Sequence, residues 1–427
     1  METIFARATA AGKAGVAVIR ISGPHARLAA ERLAGPLPVE GRALRILRNA
    51  EREPLDQALC LTFSEGHSFT GECVTELQIH GSPAAVSAVL AALQAIEGLR
   101  PAEPGEFTRR ALENDRLDLA QVEGLADLID AETEAQRRQA FRVFAGALGQ
   151  KASGWRRILI EVAALAAAAI DFSDEDVPAD LSRDIALRLE KIRSELDREQ
   201  RGIGAAERLR DGFEVAILGA PNAGKSTLLN AISGRQAAIT SHLPGTTRDI
   251  IEVRLDIAGL PVTMLDTAGL RAAVDEIERL GVDLALRRAE TADLRIWLLD
   301  PGESVGSAWK DGDIVLRAKA DINPGPGPGV SGKTAEGVPE LIVMIADKLH
   351  QRTANASIAT RDRHRRAIAR ALFHLDQALE ALPHLQDNPE FVAEETNLAI
   401  RAIDSIVGRV DVEDILSEVF ARFCIGK

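Results

Sequence analysis

Aromatic residues and cysteines are scarce in this chain. It contains no tyrosine, and Phe and Trp bring the aromatic share of its 427 residues to only 4%. Many proteins that bind single-stranded nucleic acid stack bases on aromatic rings, so a base-stacking platform is not expected here. The three cysteines, Cys60, Cys73 and Cys424, form no CxxC pair. This odd number and this spacing argue against a disulfide framework and against a cysteine zinc site.

An excess of positive charge is missing as well. The 51 basic and 64 acidic residues give a net charge of −13. This balance excludes a protein that is coated in basic residues for nonspecific binding to nucleic acid. It leaves room for a local basic patch.

Long hydrophobic runs are also absent. The most apolar stretch, Ile158 to Ile170, contains Glu161 and is too short to cross a bilayer of about 30 Å. Residues 1–20 lack the basic region and long apolar run of a signal peptide. The last four residues formally fit a prenylation box, but Gly426 and Lys427 do not match its preferences. We therefore expect a cytoplasmic protein without a membrane anchor.

The composition and the length of the chain predict a folded protein of several domains. Apolar residues make up 46% and charged residues 27%, as in globular proteins, and the length suggests about three domains. Short strands, turns and helices alternate over residues 1–116, whereas residues 117–210 and 353–427 show the spacing of long helices. Residues 211–352 alternate strand, loop and helix. The pattern predicts a multidomain α+β and α/β protein, with an α/β domain inserted between two stretches of a helical bundle.

Three segments of the first domain predict β-strands. They are residues 15–22, 58–63 and 73–80. In the last segment the period of two places Glu76, Gln78 and His80 on one face. Such a face is either solvated or binds a ligand, and composition alone favours solvation.

The strongest chemical signal follows an apolar strand, Phe213 to Leu218. Residues 219–226 fit the pattern GxxxxGK[ST], and a helical pattern follows them directly. The glycines allow backbone N–H groups to turn toward a phosphate, and the N-terminus of the helix adds its dipole. Lys225 would neutralise β- and γ-phosphate oxygens, and the hydroxyl of Ser226 would bind Mg²⁺. These residues predict a phosphate-binding loop, which does not by itself choose between ATP and GTP.

Downstream motifs favour GTP. A second strand ends in the DxxG motif of Asp266 and Gly269, which suit Mg²⁺ and the γ-phosphate respectively. A later strand leads to Lys319 and Asp321, and a loop beginning at Ser331 follows. In this order the motifs resemble those of translation-factor-type GTPases, whose guanine-reading motif is NKxD. The resemblance implies that Asp321 pairs with the guanine N1–H and amino group, and that Lys319 packs over the base.

Two positions depart from that pattern. Ala318 replaces the asparagine of NKxD, so a side-chain hydrogen bond of about 1 kcal/mol is lost. We expect weaker nucleotide affinity and softer selection of guanine. Leu270 stands where many GTPases have a glutamine that orients water. Asp275, Glu276 and Glu278 are the candidates to replace that glutamine, and all three could instead be solvated charges.

Several further stretches are more specific than the GTPase motifs. They are residues 12–23, 68–73, 104–110, 114–119, 126–130 and the terminal FCIGK of residues 423–427. Together they resemble, almost end to end, the MnmE (TrmE) family of tRNA-modification GTPases. Phe69 and Cys73 depart from the SYTGED motif of that family.

The resemblance implies a folate-binding fold for residues 1–116, which also forms a homodimer. The positions that match the folate ligands of the family are Arg20, Glu76, Arg116 and Lys427. Glu76 suits N–H donors of the pterin, and the arginines suit carboxylates or a formyl oxygen. The expected ligand is 5,10-methylene- or 5-formyl-tetrahydrofolate. The resemblance changes the preferred interpretation of the polar strand face from solvation to a ligand surface.

For the α/β domain the resemblance implies a GTPase that K⁺ activates when two such domains meet face to face. The K⁺ ligands would be Asn222, Ser241, Leu243 (through its carbonyl) and Thr246, and the Mg²⁺ ligands Ser226 and Thr247. Glu278 matches the catalytic glutamate that orients the attacking water. The full set expected to bind GTP is Asn222, Ala223, Gly224, Lys225, Ser226, Thr227, Ser241, Thr246, Thr247, Asp266, Thr267, Ala268, Gly269, Lys319, Asp321, Ser331 and Gly332.

The overall reaction implied by the resemblance needs a partner. This is the flavoprotein MnmG, which uses FAD and NADH. The two proteins add an aminomethyl or carboxymethylaminomethyl group to carbon 5 of the wobble uridine of certain tRNAs. A regulatory GTPase switch in ribosome assembly is the alternative, but it has no use for a folate domain.

Two further features of the sequence each allow two interpretations. Cys424 is either a catalytic residue or a small buried residue that fixes the C-terminal tail. The basic run from Arg361 to Arg370 either faces tRNA or forms a solvated helical face, and the second is favoured.

Overall fold

The chain divides into two compact units. The computed structural model describes residues 2–171, 179–236, 251–266, 287–305, 309–386 and 388–410, together with Phe420, Phe423 and Gly426. Unit 1 consists of residues 1–126 and 404–427, and unit 2 of residues 127–403.

Unit 1 is built on a six-stranded sheet. Its strands are β1 (Thr3–Arg7), β2 (Ala14–Ser22), β3 (Gly41–Arg48), β4 (Pro54–Phe63), β5 (Val74–Gly81) and β6 (Leu99–Pro101). Its helices are α1 (Ala26–Ala34), α2 (Pro83–Gln94), α3 (Glu106–Glu113) and the first part of α4 (Leu119–Asp130). The strand order is β3-β4-β5-β2-β1-β6, antiparallel except for the parallel pair of β1 and β6. The three predicted strands are confirmed, with bounds that differ by up to four residues.

One face of this sheet forms a hydrophobic core with α1 and α2. Leu77 and Ile79 of β5 are buried there together with Leu33 and Val89 of the helices. The neighbouring residues of β5, among them Glu76, therefore lie on the opposite face, because side chains alternate along a strand. The polar face expected from the period of two is thus present.

The end of the chain packs into unit 1. Phe420 and Phe423 are buried against Val122 of α4. A Cβ atom added to Gly426, whose φ is +100°, would overlap the carbonyl oxygen of Arg7 at the end of β1. Gly426 therefore lies against the end of the first strand of the sheet.

Unit 2 combines long helices with a second six-stranded sheet. Its helices are α5 (Glu134–Phe144), α6 (Ala147–Asp171), α7 (Ala179–Asp211), α8 (Lys225–Ser233), α9 (Val338–Thr353), α10 (Asp362–Ala381) and α11 (Pro389–Val407), the last of which runs on into unit 1. A short 3-10 helix spans Leu382–His384. The strands are β7 (Phe213–Gly219), β8 (Ile251–Ile257), β9 (Leu260–Asp266), β10 (Leu294–Leu299), β11 (Ile314–Ala318) and β12 (Gly329–Val330).

The order of the second sheet explains where its chemistry gathers. The order is β12-β11-β10-β7-β9-β8, and every pair is parallel except β8 with β9. Strand β7 lies between β9 and β10 in the sheet, and the chain crosses from one side of β7 to the other between β9 and β10. The carboxyl end of β7 is therefore a topological switch point. Ligands of open α/β sheets bind at the carboxyl ends of the strands at such a point.

The two ends of the α/β segment meet at one helix. Helix α7 leads directly into β7, and the segment after α9 returns to α7. There the N–H of Ser357 donates to the carbonyl of Gly202 at 3.1 Å, and Arg210 donates to the carbonyl of Thr360. Entry and exit of the sheet are therefore held side by side, an arrangement in keeping with an inserted segment.

The predicted mixture of α+β and α/β architecture is confirmed by the two sheets and the helices between them. Over the described part of the chain, no helix has both the length and the apolar character that a membrane span requires.

Candidate functional site

The loop after β7 adopts backbone conformations that few residues tolerate. Gly219 has φ +148°, and a Cβ atom there would overlap the carbonyl oxygen of Leu298 in β10. Asn222 lies in the left-handed region with φ +64°, and Gly224 has φ +94° immediately before α8 begins. The loop thus curls around the N-terminus of α8, where unpaired backbone N–H groups and the helix dipole favour an anion.

The ammonium group of Lys225 bridges this loop from inside. It donates to the carbonyl oxygens of Gly219 and Ala220 at 2.9 and 2.8 Å. Burial lowers the pKa of Lys225, and the negative charge of Asp266 opposes that shift. Asp266 ends β9 and is only 2% exposed. A cation and a carboxylate thus lie at the mouth of the loop, as binding of a phosphate and its metal ion requires.

The first turn of α8 touches a second loop. Ser226 is half-buried there, and Thr227 is exposed. A Cβ atom on Gly332 would lie 2.5 Å from the N atom of Leu228, so only glycine fits at this contact. The structure therefore brings the loop after β12 against the phosphate-binding helix, as the sequence motifs require of one site.

Ser331 organises that second loop. Its side chain is buried, and its hydroxyl accepts hydrogen bonds from the N–H groups of Lys333 and Thr334, both at 3.2 Å. The backbone N–H of Ser331 donates to the backbone carbonyl of Glu336 at 2.9 Å. The hydroxyl therefore shapes the turn that carries Gly332.

The residues expected to read guanine follow β11. Ala318 ends the strand and is buried, Lys319 has φ +54°, and Asp321 is exposed. The ammonium of Lys319 lies 3.1 Å from both carboxylate oxygens of Asp300 at the end of β10. No sequence motif predicted a role for Asp300. Its position directly after a parallel strand was the signal that could have found it.

The polar face of the first sheet holds an ion pair at its centre. Arg20 of β2 and Glu76 of β5 are register partners, and their side chains meet at 2.9 Å. The guanidinium of Arg20 lies over two aromatic rings, 5.3 Å from the centroid of Phe69 and 5.6 Å from that of Phe107. Ring faces attract a cation, so the rings and Glu76 together fix the orientation of Arg20. No local pattern in the sequence connects these rings with Arg20.

Arg116 contacts the loop of residues 68–72. A Cβ atom on Gly71 would be 3.2 Å from Cγ of Arg116, and Nδ2 of Asn114 donates to the carbonyl of Thr70 at 2.7 Å. The same loop carries Phe69. Arg20 and Arg116 therefore contact the same loop, and Glu76 is joined to it through Arg20, whereas Lys427 falls outside the described residues.

A buried network supports that loop from behind. Arg110 donates to Glu72 at 3.0 Å and to Glu106 at 3.0 Å, and the hydroxyl of Ser22 donates to Glu72 at 2.6 Å. Arg100 adds a second hydrogen bond to Glu106 at 2.6 Å. These side chains tie α3 to the loop of residues 68–72, so the loop has a fixed position beside Arg20.

Comparison with known proteins decides the family. The family model described as "MnmE helical domain" matches residues 119–424, and the one described as "GTP-binding protein TrmE N-terminus" matches residues 3–116. The proteins named tRNA modification GTPase MnmE from Cereibacter sphaeroides, Ruegeria pomeroyi and Roseobacter denitrificans are 57%, 54% and 53% identical to this chain, each over 100% of both sequences. The chain belongs to the MnmE (TrmE) family.

Membership of the MnmE family confirms the resemblance that the sequence motifs indicated. The enzyme class predicted for this chain is a GTPase of tRNA modification, and these relatives are named for that class.

Several MnmE positions singled out in the sequence lie outside the described residues. They are Ser241, Leu243, Thr246, Thr247, Thr267, Ala268, Gly269, Leu270, Asp275, Glu276, Glu278, Cys424 and Lys427. The described part of the nucleotide site consists of the phosphate loop, Asp266 and the two loops after β11 and β12.

The basic run of α10 is engaged in ion pairs. Arg361 pairs with Asp127, and Arg365 with Glu207. Arg366 pairs with Asp362 at 2.6 Å on the same helix. The pairs of Arg361 and Arg365 therefore join helices of unit 2 to one another, whereas the pair of Arg366 lies within one helix.

Proposed function

We propose that this member of the MnmE family hydrolyses GTP while it modifies the wobble uridine of certain tRNAs together with the flavoprotein MnmG. One observation carries the GTP part: the phosphate loop, Asp266 and the loop of Lys319 and Asp321 all lie at the carboxyl edge of one parallel sheet. The tRNA part rests on full-length similarity to tRNA modification GTPases. The added group would be aminomethyl or carboxymethylaminomethyl, and FAD and NADH would act through the partner.

The phosphates of GTP would occupy the N-terminus of α8. Lys225 would exchange its two carbonyl acceptors, Gly219 and Ala220, for β- and γ-phosphate oxygens. Mg²⁺ neutralises phosphate charge when it is bound. The hydroxyl of Ser226 is an oxygen group of the kind it accepts, and the carboxylate of Asp266 would contact the ion through a bound water. Because Mg²⁺ keeps waters and phosphates among its ligands, one or two protein groups suffice.

Activation of water is assigned to residues that match the family. Glu278 would orient the attacking water, since Leu270 cannot hydrogen-bond to it. Asn222, Ser241, Leu243 and Thr246 would hold K⁺, whose charge stabilises the transferring phosphoryl group. Thr247 would be the second Mg²⁺ ligand. The left-handed φ of +64° at Asn222 turns the phosphate loop at the residue proposed to bind K⁺.

Hydrolysis of GTP by the purified chain tests this assignment. We expect Glu278→Ala to slow turnover about 100-fold or more while GTP still binds, because the attacking water would no longer be oriented, an effect of the size that a positioned acid–base group contributes. Glu276→Ala removes a carboxylate from the same loop and should leave turnover unchanged. Replacing K⁺ by Na⁺ should suppress hydrolysis. Full turnover of Glu278→Ala, or equal rates in both salts, would contradict the mechanism.

We also propose that a reduced folate binds on the polar face of the first sheet. Glu76 accepts hydrogen bonds, as recognition of pterin N–H donors requires, and Arg20 and Arg116 offer fork-shaped donors for carboxylate or formyl oxygens. Lys427 would add a further cation. The ion pair of Arg20 with Glu76 holds both groups in place before the ligand arrives.

Binding of 5-formyl-tetrahydrofolate, followed by the fluorescence of the pterin, tests this site. Glu76→Gln keeps the shape but loses the charge that orders Arg20, and we expect affinity to fall at least tenfold, about 1.4 kcal/mol. Glu31→Gln is the matched control, because it disrupts another Arg–Glu pair of unit 1, with Arg27 at 2.8 Å. Equal affinity of the two variants would rule out the assigned role of Glu76.

The remaining expectations stay predictions. A homodimer formed through residues 1–116, a cytoplasmic location and the division at residues 116, 210 and 352 follow from the family resemblance and the sequence pattern. Chromatography of the full chain and of its complex with MnmG would measure the first.

A further inference from the structure

The guanine-reading loop must be held without the usual asparagine. Ala318 stands at that position, is 1% exposed and offers only a methyl group. Lys319 has φ +54°, so the chain turns sharply directly after Ala318. This turn must still place Asp321 at the edge of the sheet. Something else in this chain has to hold the turn.

Asn323 closes the turn from its far end. Its side-chain Nδ2 donates to the carbonyl of Ala318 at 3.1 Å, and its backbone N–H donates to the carbonyl of Lys319 at 2.9 Å. The N–H of Ile322 also donates to the carbonyl of Lys319, at 3.0 Å. Asp321 therefore lies inside a turn that two backbone hydrogen bonds and the side chain of Asn323 close.

Arg317 fixes the position of Asn323. Its Nε donates to the carbonyl of Asn323 at 2.7 Å, and its Nη1 donates to the carbonyl of Pro326 at 2.8 Å. A Cβ atom on Gly329 would lie 2.9 Å from Nη2 of the same guanidinium. The Pro-Gly repeat of residues 324–329 thus wraps around Arg317, and its glycine leaves the space that the guanidinium needs.

We propose that Asn323, held by Arg317 and the Pro-Gly repeat, positions Asp321 for recognition of guanine in place of the missing asparagine of NKxD. The inference rests on the proposed GTPase function. Asn323 acts through the backbone of the turn and is a positioning residue, since its amide contacts Ala318.

The choice of base separates this role from a general effect on stability. Asp321 accepts hydrogen bonds from N1–H and from the 2-amino group of guanine, whereas hypoxanthine lacks the amino group. A displaced carboxylate loses the discrimination between the two bases, but the phosphate contacts of Lys225 are the same in both nucleotides. The ratio of GDP to IDP affinity therefore reports on the position of Asp321.

The test compares GDP and IDP binding to the full chain and to Asn323→Ala. We expect the ratio of affinities to fall about fivefold to tenfold, the effect of one lost hydrogen bond at a turn. Arg317→Lys keeps the charge but not the fork of donors and should lower the ratio in the same direction. Asn49→Ala, which removes an amide bonded to Glu53 in a turn of unit 1, is the control and should leave the ratio unchanged.

A rescue completes the test. Adding Ala318→Asn to Asn323→Ala restores the side chain of NKxD, and we expect it to recover the ratio. An unchanged ratio in Asn323→Ala, or no recovery in the double variant, would overturn the inference. If the unsubstituted chain binds neither GDP nor IDP, the proposed GTPase function itself fails, which is a distinguishable result.

Discussion

Glu106 is a carboxylate whose surroundings keep it charged although it is buried. It is 2% exposed in the first turn of α3. Burial alone would raise its pKa, but hydrogen bonds from Arg100, the N–H of Glu103 and Arg110 outweigh burial and lower the pKa to about 2. A helix N-terminus also favours negative charge. At the residue scale, α3 is therefore anchored by one ionised group.

The depressed pKa of Glu106 predicts how unit 1 responds to acid. Because the pKa in the folded state lies below its ordinary value of 4.5, ionisation stabilises the fold above that pH. This contribution, ~3 kcal/mol, is lost as the pH falls from about 5 toward 2. The protection of α3 against hydrogen exchange, taken relative to the intrinsic exchange rate at each pH, should fall over this range in the unsubstituted chain.

Glu106→Gln removes that dependence and lowers the protection of α3 already at neutral pH. Glu113→Gln, at the exposed end of the same helix, should behave like the unsubstituted chain. An unaltered pH profile in Glu106→Gln would show that this ionisation does not anchor α3.

The element that organises unit 2 is the long helix α7. It packs against α6 and α10, leads into β7 and touches the segment that returns from the second sheet. Glu199 of α7 is buried and accepts a hydrogen bond from the hydroxyl of Ser357 at 2.6 Å as well as one from Lys151. Although burial opposes it, these bonds lower the pKa of Glu199 and keep it ionised. Glu199 thus joins α7 to α6, through Lys151, and to the segment that contains Ser357.

Two glycines of α7 give a matched test of this contact. A Cβ atom on Gly202 would overlap the carbonyl oxygen of Asn355, whereas one on Gly204 would meet nothing within 4 Å. Gly202→Ala should destabilise unit 2 by about 1–3 kcal/mol, the usual effect of overpacking. Gly204→Ala should stabilise the helix by up to about 1 kcal/mol.

Urea unfolding followed by tryptophan fluorescence measures both variants, because Trp155, Trp297 and Trp309 all belong to unit 2. Equal stability of Gly202→Ala and Gly204→Ala would show that α7 and the returning segment need no close approach.

The sequence predicted elements better than the contacts between them. The alternation along β5 and the apolar run of β7 are local signals, so both strands and the polar face with Glu76 could be predicted. The phosphate loop at Lys225 was identifiable for the same reason. The stacking of Phe69 on Arg20 and the contact of Lys319 with Asp300 join residues far apart in sequence. No local pattern encodes such pairs, so only the fold could place them.

At the scale of the whole molecule, charge sets a condition on the proposed function. The net charge is −13, and the basic run of α10 is drawn into ion pairs with Asp127, Glu207 and Asp362. Affinity for nucleic acid comes mainly from neutralising phosphates. We therefore expect the isolated chain to bind tRNA weakly, and the complex with MnmG to bind it more tightly.

Equilibrium binding of tRNA to the chain, to MnmG and to their complex measures this expectation. Tight, salt-sensitive binding by the chain alone would show that it carries a phosphate-binding surface of its own.

The central claim is that this member of the MnmE family modifies the wobble uridine of tRNA and needs an intact phosphate loop to do so. The most direct measurement is mass spectrometry of tRNA nucleosides from cells that lack the gene, complemented with the chain or with Lys225→Ala. The account predicts unmodified wobble uridine in the deletion strain, restored modification with the chain, and no restoration with Lys225→Ala. Normal wobble uridine in the deletion strain, together with a defect in ribosomal subunits, would contradict it.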